Sequence, residues 1–563
     1  MDARKIFNPP FHYSSNTKDY FLSRDSWSSM ALLSRETCLV TIAEKSFQGK
    51  VNESFGFLGI IHLQNGSYII TITEAKYVTS LRGAYILMVD DVDFLPLTTM
   101  KDPKSLSLLK EFIKTNYFYF SYSLDLTNAL WRTVQLREVG DWEHFDMRFF
   151  WNAHITEEFQ NAKAGELILP VISGFIQIEQ VCLDGVTLDY GIISRKEHRR
   201  AGTRFHTRGL SDEGYAANCV ETEQIVGWNQ DGKYVMNSFL QVRGSIPLLW
   251  TQKPNLAWNP PIVINKENFE PSYKHLSEIT RIYKSITYVN LIDKKGSQKR
   301  LGTEFENLIN KSAKGTYVWF DFHAECKGMK FENVSKLIQQ LMEDVDKYEW
   351  SETVIEKNKA INEGKIVKLQ TGIFRTNCID CLDRTNVVQN TLARAVLHKQ
   401  LAGMITKTSS DHLAQFPANL EYCFRNFWTN NADVISLLYT GTPAMKTDFT
   451  RTGKRTYKGS LLDGRYGIQR YVINTFLDGT RKDTIDLFLG KIRANCMRNG
   501  NKYIYIYTFL ALTLVIITIC RALAIKTSDT WLFYPIFISL LLFSNKLLVQ
   551  FGSKFAENPF IPN

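Results

Sequence analysis

RTNCIDCLDRTN, residues 375–386, decides how the rest of the chain is read. Ahead of it, KIVKLQTGIF (365–374) is apolar and β-branched enough to predict a strand. After it, VVQNTLARAVLHKQL (387–401) predicts a helix, with Val388, Leu392, Ala395 and Val396 on one face. Strand, short loop and helix follow in that order. A loop that closes onto a helix N-terminus aims several backbone N–H groups at one point, and the helix dipole makes that point positive. A phosphate fits there.

The loop's side chains suit phosphoryl transfer. Cys378 comes first, where the helix terminus favours a thiolate. Arg384 follows six residues later, and its planar fork can hold two phosphate oxygens. Thr385 can give a hydroxyl hydrogen bond to the sulfur and help it leave. A sugar alkoxide is a poor leaving group and needs a general acid. Asp380 and Asp383 both lie inside the loop and are preferred to an acid from a distant loop, and spacing does not separate the two. Cys378-x-x-Cys381 has a zinc or redox reading too, but zinc wants two further ligands and the chain holds no second CxxC. Cys381 is read as a small buried residue of the loop.

Working outward, residues 181–490 alternate strands such as TYVWFDF (316–322) with helices such as VSKLIQQLMEDVDKY (334–348). In that helix Val334, Leu337, Leu341 and Val345 form one apolar face. This is the pattern of an α/β catalytic domain of cysteine-phosphatase type. Residues 1–180 form a β-rich module, with strands expected at GFLGIIHL (56–63), SYIITIT (67–73) and AYILMV (84–89). Asn65-Gly66 is expected to make the turn of the first hairpin.

Beyond a basic juxtamembrane segment, 491–502, the sequence turns strongly apolar. YIYIYTFLALTLVIITIC (503–520) carries no charge over 18 residues. As a helix it rises about 27 Å, close to a hydrocarbon core of roughly 30 Å. WLFYPIFISLLLFSNKLLV (531–549) follows. Its Pro535 sits in the first turns and its Lys546 near the end, where each is tolerated. Two transmembrane helices are expected, 503–523 and 530–549, with a short tail at 550–563. Lys491, Arg493, Arg498 and Lys502 outweigh the loop's Arg521 and Lys526, which puts the catalytic domain and the tail in the cytosol.

The chain of 563 residues is 44% apolar and 22% charged, which excludes a disordered protein. Its net charge of +10 favours an anionic partner. No nucleic-acid-binding module is recognisable. Nine irregularly spaced cysteines and a start without an apolar signal core argue for a reducing compartment.

The run 375–386 resembles the signature of the Sac-domain phosphoinositide phosphatases. So do RRAGTRFHTRG (199–209), ANCVETEQIV (217–226), QVRGSIPLLW (241–250), WFDFHAEC (319–326) and KTDFTRTGKRTYKG (446–459). The C-terminal hairpin is similar to that of the family's endoplasmic-reticulum member. The resemblance implies hydrolysis of phosphatidylinositol 4-phosphate, with the 3-phosphate and other monophosphates as further substrates, and no metal or other cofactor. It implies catalysis by Cys378, Arg384, Asp380, Asp383 and Thr385. It implies substrate contacts from Arg375, Asn377, Ile379, Cys381, Leu382 and Asn386, and from the basic residues Lys446, Arg451, Lys454 and Arg455. It implies residence in the endoplasmic reticulum, with the Golgi as a second location, although the ending AENPFIPN lacks a lysine retrieval pair. The rival readings are a phosphoinositide-binding tether without catalysis and a protein tyrosine phosphatase.

Outside the loop, the cluster Arg195, Lys196, Arg199, Arg200 reads as a solvated surface, with a face toward the anionic headgroup or the membrane as the alternative. Arg204, Arg208 and Arg243, beside glycines in loop-like stretches, either line the pocket or hold the domain together, with the structural role preferred. Asp321 and His323 sit at the end of an apolar run, where hydrogen bonds near the core would satisfy them, with support of the cysteine loop as the alternative.

Overall fold

The computed structural model describes residues 1–6, 8–25, 29–44, 49–99, 102–137, 142–402, 404, 413–452, 456–492 and 556–559. Near the N-terminus, five short antiparallel strands between Phe11 and Ser54 make one sheet. A second sheet of thirteen strands forms the body of the molecule.

Most of that larger sheet is antiparallel. It runs from Gly56–Leu63 through Gly66–Leu81, Ala84–Pro96, Phe118–Phe120, Ile172–Leu183 and Val186–Lys196 to Val220–Gln230 (β1) and Lys233–Arg243 (β2). Residue 180 lies within one of these strands, so the sheet continues through it. At β2 the sheet changes character. Ser285–Asn290 (β3), Thr316–Trp319 (β4) and Gly372–Asn377 (β5) are parallel strands, in the order β4-β3-β5-β2. Parallel neighbours need long crossovers. The helices Gly296–Ser312 and Val334–Tyr348 supply them.

This arrangement builds a crevice at the carboxyl ends of the parallel strands, where ligands of open α/β sheets bind. Asn290 pairs in register with Asn377, and Arg243 with Thr376. Cys378 is the next residue. All six residues of β5 are buried, because the strand has neighbours on both edges and helices over its faces.

Four helices complete the site's frame: Asp383–Gln400 (α1), Ala418–Thr440 (α2), Tyr457–Phe476 (α3) and Asp478–Phe488 (α4). Val388, Leu392, Ala395 and Val396 of α1 are buried with Val334, Leu337, Leu341 and Val345 of the crossover helix. Both apolar faces match the sequence reading. Each valine or leucine among them contributes about 1.5–3 kcal/mol on burial. On the sheet's antiparallel part, Phe427 of α2 stacks on Tyr190 at 5.5 Å.

The expected strands at 56–63, 67–73 and 84–89 are present, the latter two longer than read. Two local expectations shift. The first hairpin turns at Gln64-Asn65, because Leu63 pairs with Gly66 and makes Gly66 a strand residue. The stretch 365–374 is not one strand: Lys365–Lys368 pairs with Ser351–Ile355, and β5 starts only at Gly372.

Ala556–Pro559 packs against the corner between α3 and α4. The Glu557 N–H donates to the Thr475 carbonyl at 2.9 Å. Its carboxylate accepts from the Thr480 N–H at 3.0 Å and the Thr480 hydroxyl at 2.8 Å. That carboxylate caps α4, whose own preceding residue, Leu477, offers no side-chain cap. Among the described residues no helix is long and apolar enough to cross a membrane. The expected spans, 503–523 and 530–549, lie outside the described residues.

Candidate active site

Cys378 to Leu382 form the turn between β5 and α1. The turn is fastened from behind. The thiol of Cys381 donates to the Gly244 carbonyl at 2.9 Å, and its sulfur accepts the Cys378 N–H at 3.2 Å. Asn377 Nδ2 donates to Gly244 O at 2.9 Å, and Arg375 Nη2 to Ser245 O at 3.0 Å. These bonds tie the turn to the residues just after β2. They hold Cys381 at φ 53°, a left-handed conformation that cysteine adopts only under such constraint. Burial pushes the Cys381 thiol up to about 12, and the adjacent Cys378 adds to it, so Cys381 is a thiol at neutral pH.

A cavity of about 260 Å³ opens in front of the turn. Cys378, Ile379, Asp380, Leu382, Asp383, Arg384 and Asn386 line it. Arg375, Asn377 and Cys381 do not: Arg375 Nη2, Asn377 Nδ2 and the Cys381 thiol are turned to Gly244 and Ser245 behind the turn. Thr385 is buried, and its hydroxyl has no hydrogen-bond partner among the described residues. The first turn of α1 has no side-chain cap at Leu382, which leaves the helix's N–H groups for an anion.

The two loop carboxylates differ sharply in surroundings. Asp380 is gripped on both oxygens. Arg204 donates to Oδ1 at 3.0 Å and Oδ2 at 2.8 Å, and Arg208 donates to Oδ1 at 2.7 Å. Burial alone would raise its pKa, but the two guanidinium groups hold it far below the usual carboxylate range. Asp383 accepts one backbone bond, from the Met445 N–H at 2.9 Å, and its other oxygen lies 3.7 Å from Arg470.

Arg384 Nη1 donates to the Leu291 carbonyl at 3.3 Å and to Asp293 Oδ1 at 3.2 Å. Asp293 also meets His323 Nδ1 at 2.9 Å. His323 lines the cavity, so the FDFH run does lie beside the cysteine loop. Asp321 instead caps the short helix that starts at Phe322, accepting the Ala324 N–H at 3.0 Å.

The far wall is Ala444 to Lys446. Its three successive N–H groups donate to Asp433, Asp383 and Asp463. Lys446 lines the cavity, whereas Arg451 is exposed and bonds Asn430 at 3.1 Å. Lys454 and Arg455 lie outside the described residues. Arg204, Arg384, Lys446 and Arg470 therefore give the cavity four cationic walls against Asp380 and Asp383.

Comparison with known proteins identifies the family. Residues 55–327 match the SacI homology domain, which ends before the cysteine turn. The Drosophila melanogaster protein named Phosphatidylinositol-3-phosphatase SAC1 is 38% identical over 463 residues, 79% of this chain and 76% of that protein. Phosphatidylinositol-3-phosphatase SAC1-B of Danio rerio is 37% identical over 500 residues, 84% of this chain and 83% of its own. Phosphatidylinositol-3-phosphatase SAC1 of Saccharomyces cerevisiae is 35% identical over 462 residues, 79% and 74% of the two chains. The chain belongs to the Sac-domain phosphoinositide phosphatase family.

Several residues that build this Sac-family cavity escape sequence reasoning. Asp293 follows β3 without a motif of its own, and only the register of β3 beside β5 brings it to Arg384. For Arg204 and Arg208 the sequence left pocket lining and a structural role open, and preferred the latter; both grip Asp380, and Arg204 lines the cavity. Arg470, Trp258 and Tyr471 come from distant segments. The cluster at 195–200 is corrected too. Arg195 and Lys196 are buried, with Arg195 on Glu223 at 2.8 Å and Lys196 on the Leu438 carbonyl at 2.9 Å. The acidic partners lie on β1 at alternate positions, Glu221 and Glu223, a pairing visible only once Arg195 is set opposite Glu221.

Proposed function

We propose that this SAC1-type phosphoinositide phosphatase removes the 4-phosphate of phosphatidylinositol 4-phosphate through a phosphocysteine intermediate. The observation that carries the reading is one cavity holding Cys378 at a strand end, an uncapped helix N-terminus and four cationic side chains. Such a site suits a polyanionic headgroup better than a single phosphotyrosine.

The Cys378 thiolate attacks phosphorus, and the bond from phosphorus to the inositol oxygen breaks. Arg384 and the α1 N–H groups hold the phosphoryl oxygens as charge develops on them. Asp383 is the better general acid of the pair. It carries one backbone bond, while Asp380 is locked ionised by two arginines and serves to set the loop's shape. Asp383 gives its proton to the leaving inositol oxygen. It then takes a proton from the water that displaces Cys378 from phosphorus. Thr385, with its hydroxyl unpartnered, stabilises the departing sulfur. Ile379, Leu382, Asn386 and Lys446 line the path of the headgroup.

Residues 1–180 and 181–490 are read as an N-terminal module and a catalytic domain that share a sheet. Residues 503–549 are read as two membrane spans in the endoplasmic reticulum. Ala556–Pro559 packs on the corner between α3 and α4 of the catalytic domain, which supports an even number of crossings between residues 490 and 556.

The test is phosphate release by the full-length chain, in vesicles, from each phosphoinositide monophosphate. The relatives' names specify the 3-phosphate, so that isomer belongs in the panel. Fastest release from the 4-phosphate supports the reading. Fastest release from the 3-phosphate overturns the ring-position assignment, and lipid binding without release turns the account to the tether.

A further inference from the structure

One helix beside the cavity shows an apolar face to solvent. Along α3, Tyr457 is 82% exposed, Leu461 59%, Ile468 65% and Val472 43%. Their spacings of four, seven and four place them on one stripe. Gly464 continues it. The opposite face of α3 is the buried one, with Arg470 and Asn474 held against α2 and the loop after it. Between the two faces, on one flank, Gly467 and Tyr471 line the cavity. On the other flank stand the exposed cations Lys458 and Arg465. Trp258, 67% exposed, stacks on Tyr471 at 5.4 Å and carries the apolar surface to the cavity mouth.

A surface helix normally turns its polar side outward. Apolar side chains this exposed and this aligned mark a docking surface. Lysine and arginine beside apolar side chains on an exposed helix face suit the boundary between acyl chains and anionic headgroups.

We propose that α3 is an interfacial helix, seated in the leaflet that contains the substrate. The proposal rests on the phosphoinositide reading of the cavity and deepens it. Leu461, Ile468 and Val472 enter the acyl boundary, and Lys458 and Arg465 meet anionic headgroups. The mouth between Tyr471 and Trp258 then lies at headgroup depth, so a lipid phosphate reaches Cys378 without leaving the bilayer.

The experiment uses the full-length chain in phosphatidylcholine vesicles containing phosphatidylserine. The triple variant Leu461→Asp, Ile468→Asp, Val472→Asp is assayed on phosphatidylinositol 4-phosphate in the vesicles and on its deacylated, water-soluble headgroup. Loss of about tenfold or more on the vesicle substrate is expected, with release from the soluble headgroup within about twofold of wild type. Separately, Ile468→Trp is measured for fluorescence quenching by brominated lipids, as the increment over wild type, and quenching is expected. An equal loss on both substrates makes the stripe part of the fold and overturns the proposal, as does no loss on either. A blue-shifted Ile468→Trp emission without quenching also overturns it, since the chain's own residues 493–555 would then cover the stripe. Failure of wild type to release phosphate from either substrate is a failure of the phosphatase reading, and the quenching result still decides whether α3 sits in the bilayer.

Discussion

At the residue scale, the two loop aspartates separate by what holds them. Asp380 accepts three guanidinium bonds and stays ionised through the working range of pH, which makes it a poor proton donor. Asp383 carries one backbone bond. General acid catalysis contributes most when the leaving group is poor, typically 10²–10⁴-fold. Asp383→Asn is therefore expected to slow release from the inositol lipid by about 10²-fold or more, and release from para-nitrophenyl phosphate by less than about tenfold. Asp380→Asn should slow both substrates alike, because it loosens the loop and leaves Arg204 and Arg208 without their shared anion. The reverse pattern would assign the acid to Asp380. The place of Cys378 and Arg384 in a turn at a helix N-terminus was legible in the sequence because a strand precedes the Cys-x5-Arg spacing and a helix follows it. The distinction between Asp380 and Asp383 was not, because it depends on Arg204 and Arg208, about 170 residues earlier in the chain.

At the element scale, strand–turn–helix order around residue 378 and the apolar faces of α1 and of Val334–Tyr348 follow from local periodicity. The parallel register of β3, β5 and β2 does not, because strand pairing across 87 residues (Ser285 with Gly372) or 133 residues (Gln241 with Phe374) leaves no local mark. For the same reason Arg195 reads as exposed until Glu221 is placed opposite it. The cap that Glu557 gives α4 is another long-range feature, and it has a measurable consequence. Thr203 reaches the Asp478 carbonyl at the start of α4, and Thr203 precedes the Arg204 that grips Asp380. Loss of a helix cap costs about 1 kcal/mol. Glu557→Ala is expected to raise hydrogen exchange at Thr480 to Asp483 by about fivefold, with Glu557→Gln intermediate. Unchanged exchange in Glu557→Ala would remove Ala556–Pro559 from the α4 corner.

At the scale of the whole molecule, one long sheet carries the antiparallel body into a short parallel edge, and the crevice at that edge holds the chemistry. The cationic walls come from four separate segments, which is why net charge predicted an anionic partner but not where it would bind. The same cavity opens beside α3, so the proposed lipid site and the proposed membrane-seating helix are neighbours on one face. In the proposed mechanism the sulfur of Cys378 receives the phosphoryl group. The most direct measurement is rapid acid quench of the full-length chain turning over lipid labelled with radioactive phosphate at the 4-position, followed by peptide mapping. Label on the peptide that contains Cys378, absent from Cys378→Ser together with all phosphate release, is the predicted result. Phosphate release that persists in Cys378→Ser, or label on any other peptide, would contradict it.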